Sequence, residues 1–145
     1  MTAQADLDLI GVEQCVNLLL VRSMEASLRF YVDGLGFRRT NQWIHNGRLE
    51  WCWLELGGSA LMLQEVVPAE RYTGEFEGRV GKGVSLNFTC RDALAFYRLM
   101  KERQVAAERP FVGNRMWVTS LKDPDGYQLH FQSPTDAPEE SEYED

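Results

Sequence analysis

The sequence predicts an α+β domain built from two tandem βαβββ units. Three observations predict it. The order strand, helix, three strands is met twice along the chain. A stretch rich in Gly and charge, Pro68 to Lys82, has no apolar period and separates the two occurrences. The 145 residues with 44% hydrophobic content suit one ordinary domain with a core. The reading places one domain at 12–134, with module one at 12–67, a linker at 68–82 and module two at 83–134. It leaves 135–145 as a disordered acidic tail.

Each element has a local reason. Residues 1–11 read as a loose leader. Gln14 to Val21 holds the run LLLV and reads as a buried strand. Ser23 is an N-cap for a helix from Met24 to about Gly34, with Met24, Leu28, Tyr31 and Leu35 at helical spacing. Three strands follow: Phe37 to Ile44, Arg48 to Leu56 and Ser59 to Val66. His45-Asn46-Gly47 carries a tight hairpin signal, and Gly57-Gly58 makes the next turn. In the middle strand Leu49, Trp51, Trp53 and Glu55 share one face, while Glu50, Cys52, Leu54 and Leu56 share the other. Neither face is wholly polar, so the sheet is covered on both sides, or covered on one and lining a cavity on the other.

Module two repeats the order. Gly83 to Cys90 reads as a strand, Asp92 caps a helix to about Gln104, and Val105 to Phe111, Arg115 to Leu121 and Tyr127 to Gln132 read as strands. Asp123-Pro124-Asp125-Gly126 is the turn before the last of them. The helix of module one carries Phe30-Tyr31 and that of module two carries Phe96-Tyr97, a weak echo of the repeat.

Composition narrows the function. A net charge of −7 argues against a nucleic-acid partner, which needs a basic face, and suits a cationic ligand or simple solubility. Cys15, Cys52 and Cys90 form no CxxC pair and are odd in number. They read as reduced, buried thiols of a cytoplasmic protein rather than disulfides or a zinc site. No apolar run approaches the ~20 residues of a membrane span, and the N-terminus does not have the pattern of a signal peptide.

Three segments resemble a known family. SMEASLRFYVDGLGF at 23–37, GGSALMLQE at 57–65 and DPDGYQLHF at 123–131 are similar, in order and spacing, to motifs of the glyoxalase/bleomycin-resistance/dioxygenase (vicinal oxygen chelate) superfamily. The resemblance spans about residues 14–134. It implies curled mixed sheets whose concave faces form a cup-shaped cavity, and it implies a homodimer. Members include metal-dependent lyases, isomerases and dioxygenases, and metal-free proteins that sequester drugs of the bleomycin type.

The resemblance also implies four metal-ligand positions, one on each of four strands. They fall at Val16, near Glu65, at about Ser85 (with Gly83 as an alternative) and at His130. Valine and serine are not usual ligands, so Glu65 and His130 are the two donors left. A register slip would bring Gln14 or Asn17 inward instead of Val16. No metal or other cofactor is expected; the alternative is a divalent Zn, Ni, Fe or Mn ion on Glu65 and His130. His45 reads as a solvated turn residue.

Four tryptophans in one small domain favour a pocket for planar or cationic groups. The candidate ligand-binding residues are Trp51, Trp53 and Trp117, with Glu65 and His130 as polar anchors and Arg115 as a group for an anionic moiety. Core packing and surface pairing are the competing explanations for each. The favoured function is a small-molecule binding protein similar to bleomycin-resistance proteins, with a role in antibiotic resistance. The alternative is a glyoxalase-like metal-dependent lyase or isomerase. A third reading is an interaction domain whose Trp faces meet a partner.

Overall fold

Helix α1 (Ala3–Ile10) opens the computed structural model, which describes residues 2–66 and 80–145. Thr2 caps α1 by accepting from the Ala5 amide at 3.2 Å, and Gly11 ends it at φ 69°. The leader expected to be loose is therefore helical, because a polar cap and a C-terminal glycine define the ends. None of its residues is buried.

Module one contains β1 (Asn17–Val21), α2 (Met24–Leu28), β2 (Arg38–His45), β3 (Arg48–Leu56) and β4 (Ser59–Glu65). Beyond Leu28 the helix widens into a π-helical stretch, Arg29–Gly34. Module two contains β5 (Ser85–Thr89), α3 (Ala93–Glu102), β6 (Phe111–Gly113), β7 (Met116–Lys122) and β8 (Gln128–Pro134). The two sheets have the same strand order, β1-β4-β3-β2 and β5-β8-β7-β6. In each, the first strand pairs parallel with the last, and the remaining pairs are antiparallel. These are the two tandem modules that the element order predicted. Of the linker predicted at 68–82, residues 68–79 lie outside the described residues.

Both modules start their helix with the same device. Ser23 accepts from the Ala26 amide and Asp92 from the Ala95 amide. The next amide is satisfied from the end of the module's last strand. Met24 N–H donates to Glu65 Oε2 at 2.7 Å, and Ala93 N–H donates to Ser133 Oγ at 2.8 Å. Each bond ties a helix start to its own sheet and satisfies a buried donor that would otherwise be orphaned. The Phe-Tyr pairs, by contrast, are not equivalent. Phe30 lies about two turns past its cap and Phe96 about one.

Two expectations are corrected. The strand predicted over 105–111 is replaced by the three residues of β6, which overlaps it only at Phe111. Pro110 has no N–H for a ladder, and the Glu108 amide donates to Ser120 O instead. The tail predicted to be disordered runs along the outer edge of β6, with Phe111 bridged to Glu142.

One core joins the modules. Leu19, Val21, Cys52, Leu54, Leu61 and Leu63 meet Leu86, Met100, Leu121, Leu129 and Phe131 in a single cluster. Phe37 and Phe88 bridge it edge to face, with centroids 6.0 Å apart. Burial pushes the Cys52 thiol up to about 11, as expected of a thiol acting as a small hydrophobe. Cys15, expected to be buried, is exposed.

Polar contacts then lock the modules at the Asp123-Pro124-Asp125-Gly126 turn. Asp123 Oδ1 accepts from the Asp125 and Tyr127 amides, both at 2.9 Å, and Gly126 takes φ 101°. Asp123 Oδ2 accepts from the buried Tyr31 hydroxyl of module one at 2.9 Å. Tyr127 donates its hydroxyl to Leu20 O, and the Arg22 amide donates to Asp125. Burial raises the Asp123 carboxyl above its usual range, more than its hydrogen bonds lower it. The native state therefore holds this proton to higher pH than the unfolded chain does. The stability Asp123 contributes is fullest below its unfolded value and declines as pH rises through the native one. Two outcomes are expected in urea unfolding. Asp123→Ala costs roughly 3 kcal/mol by orphaning three donors. Wild type loses stability relative to Asp123→Asn as pH rises from about 4 towards neutrality.

Candidate ligand-binding faces

Strand alternation gives each sheet two unlike faces. One face packs on the helices and core. On β3 that face carries Glu50, Cys52 and Leu54, all buried. The other face is open, as the sequence allowed for one side of the sheet. Its β3 residues Trp51, Trp53 and Glu55 are only half-buried.

Register assembles the open face of module one. Trp51 pairs with Trp43 on β2 and Gln64 on β4, and Trp53 pairs with Asn41 and Met62. Side chains paired across a ladder point the same way, so these groups form one patch. Trp43, 44% exposed, stacks on His45 with centroids 5.1 Å apart. Three indoles and a thioether thus lie on this face, with the His45 imidazole stacked on Trp43 at its margin. Sequence reasoning missed Trp43, His45 and Met62, although two-residue alternation outward from Trp53 would have found Met62 once the register was known.

The corresponding face of module two is polar around His130. His130 pairs with Asn87 and Ser120, and Ser120 Oγ lies 2.7 Å from His130 Nδ1. Asn87 donates to Ser85 Oγ at 2.9 Å. A cleft of about 300 Å³ lies at the seam of the modules, lined in part by Val16 and Ala60 from one and by Asn87 from the other.

Several predicted site residues lie elsewhere. Glu65 points to the core face, where it accepts from the Met24 amide and pairs with Arg48. It shares no hollow with His130, which flanks the core residues Leu129 and Phe131 and so points to the opposite side of its sheet. Trp117 also misses the open face. It pairs with Ser133, and its ring meets Tyr143 edge to face at 6.4 Å. Arg115 occupies the β6–β7 turn at φ 62°, and its amide donates to Glu139. Of the six candidates, the open faces hold Trp51, Trp53 and His130.

The residues do not fit the metal positions the resemblance implied. In module one the place of His130 is taken by Met62, not Glu65. Met62 pairs with Leu18 and Trp53 just as His130 pairs with Asn87 and Ser120. The four positions then read Val16, Met62, Ser85 and His130, with one imidazole among them. Among the described residues, no group of three His, Cys, Asp or Glu side chains could hold a metal ion.

The geometry defines a paired-βαβββ domain with one open strand face per module, aromatic in the first and polar in the second. The chain belongs to the Glyoxalase/Bleomycin resistance protein/Dioxygenase superfamily, whose family model matches residues 11–131. Solved structures share this fold. TnmS3, an antibiotic binding protein from Streptomyces sp. CB03234, has a TM-score of 0.63 at 22% identity, over 85% of this chain and 98% of that one. UcmS2 has a TM-score of 0.67 at 17% identity, over 83% and 98%. A glyoxalase/bleomycin resistance protein/dioxygenase from Nocardioides has a TM-score of 0.63 at 15% identity, over 97% of each chain. No curated protein matches the chain. Among the described residues, no helix is long and apolar enough to cross a membrane.

Because Glu65 acts as a structural cap, Glu65→Ala is expected to cost about 2 kcal/mol in urea unfolding. His130→Ala, on the open face, is expected to cost under about 1 kcal/mol.

Proposed function

We propose that this protein is a small-molecule binder, similar in role to bleomycin-resistance proteins, that holds an aromatic or cationic ligand without a catalytic metal. The observation that carries the reading is the open aromatic patch of Trp43, Trp51 and Trp53 beside Met62. Indole faces attract planar and cationic groups, and a thioether adapts to their shape. The net charge of −7 favours a cation over an anion. His130, held by Ser120, is the polar anchor on the other module. The antibiotic-binding description of TnmS3 agrees with this reading. The proposed working form is a cytoplasmic homodimer, whose second copy would help enclose a ligand on faces that one chain leaves open.

The lyase or isomerase alternative is weaker. With Met62 at the position implied for a ligand, no set of three His, Cys, Asp or Glu donors among the described residues converges to hold a metal that would stabilise an enediolate, which is the main electrostatic contribution such chemistry needs.

Tryptophan fluorescence titrations with bleomycin and with smaller aromatic cations test the proposal. Saturable quenching at micromolar ligand is expected. Trp53→Ala should weaken the best ligand about tenfold, the loss of one stacking contact. Flat curves across the panel would remove the binding reading. Stoichiometric metal in protein purified without chelator, lost in His130→Ala, would restore the enzyme reading.

A further inference from the structure

Residues 135–145 carry six acidic side chains in eleven positions. Composition alone predicts disorder, yet the segment adds a strand-like edge to sheet two. Val112 N–H donates to Ser141 O at 2.8 Å, Glu140 N–H to Val112 O at 2.9 Å, and Tyr143 N–H to Pro110 O at 2.9 Å. The ladder covers the whole of β6, which is otherwise the free edge of its sheet.

Side chains add a second layer. The Tyr143 ring sits edge to face on both Tyr97 of α3, at 5.6 Å, and Trp117 of β7, at 6.4 Å. Arg98 donates to the Tyr143 hydroxyl at 3.4 Å, and Lys101 pairs with Asp145 at 3.1 Å. Arg109 lies 3.9 Å from Glu142. The two ion pairs are exposed and contribute little to affinity. The ladder bonds and the aromatic seat of Tyr143 hold the segment, while the basic residues select its charge.

We propose that the β6 edge and the adjoining face of α3 form a docking site for an extended acidic segment bearing a tyrosine. The chain's own residues 139–145 occupy it, and the same segment of a second copy can replace them. The site combines strand addition with one aromatic anchor, which is a recognised way of binding peptides. Attachment of the segment to the same chain gives it a high effective concentration, so it excludes the copy in trans. The strap thereby blocks the β6 edge from pairing with other strands. β2, the corresponding edge of sheet one, is exposed along its full length.

Two full-length variants open the strap. Tyr143→Ala removes the anchor. Glu140→Pro places proline where φ is +65°, a conformation its ring forbids, and deletes the N–H bonded to Val112. Glu140 is exposed, so this change leaves the core intact. Hydrogen exchange at the Val112 amide should speed up about tenfold or more in both variants, while the β7–β8 amides keep their protection. A fluorescein-labelled peptide of residues 136–145 should bind Glu140→Pro but not wild type, and the peptide carrying Tyr143→Ala should not bind. Unchanged Val112 exchange in Glu140→Pro, equal peptide binding by wild type and variant, or no binding to either would overturn the proposal.

Discussion

In each module the helix covers one face of the sheet's last strand, and nearly everything else depends on which face that is. A strand sends successive side chains to opposite sides, so the choice of covered face sorts every residue into core or open surface. Module one places Leu61, Leu63 and Glu65 under α2 and leaves Met62 and Gln64 outside. Module two places Leu129, Phe131 and Ser133 under α3 and leaves His130 and Gln132 outside. A shift of one residue would exchange the tryptophan patch for the core.

The helix-starting bonds fix that choice. Glu65 and Ser133 end their modules' last strands and satisfy the first helical amides. A buried amide left unsatisfied costs about 1–3 kcal/mol, which is large against the marginal stability of a small domain. A carboxylate at such a site has a structural use that outweighs its suitability as a ligand. The open faces carry Trp43, Trp51, Trp53 and Met62 in module one and His130 beside Ser120 in module two.

The two modules differ in how they treat their outer edges. Sheet one ends in the eight residues of β2, and sheet two ends in three residues of β6 covered by the C-terminal segment. Strand alternation sends Trp117 to the α3 side with Val112 and Ser133. Its indole forms one wall of the seat for Tyr143, so its large apolar area already has an intramolecular use. The asymmetry leaves the aromatic open face next to an uncovered edge, and the polar open face next to a closed one.

The sequence by itself determined the repeated element order, the Ser23 and Asp92 caps, the Asn46-Gly47 and Asp123–Gly126 turns, and the two unlike faces of the Trp51 strand. These are local or short-period signals, readable within a few residues. Tertiary structure alone decided which face of each strand was buried, and therefore that Glu65 turns to a helix start and Met62 to the open face. It also decided that an acidic tail is ordered, because its partners Val112, Tyr97 and Trp117 lie far away along the chain. Pairing across such separations depends on register and packing, which no local pattern encodes.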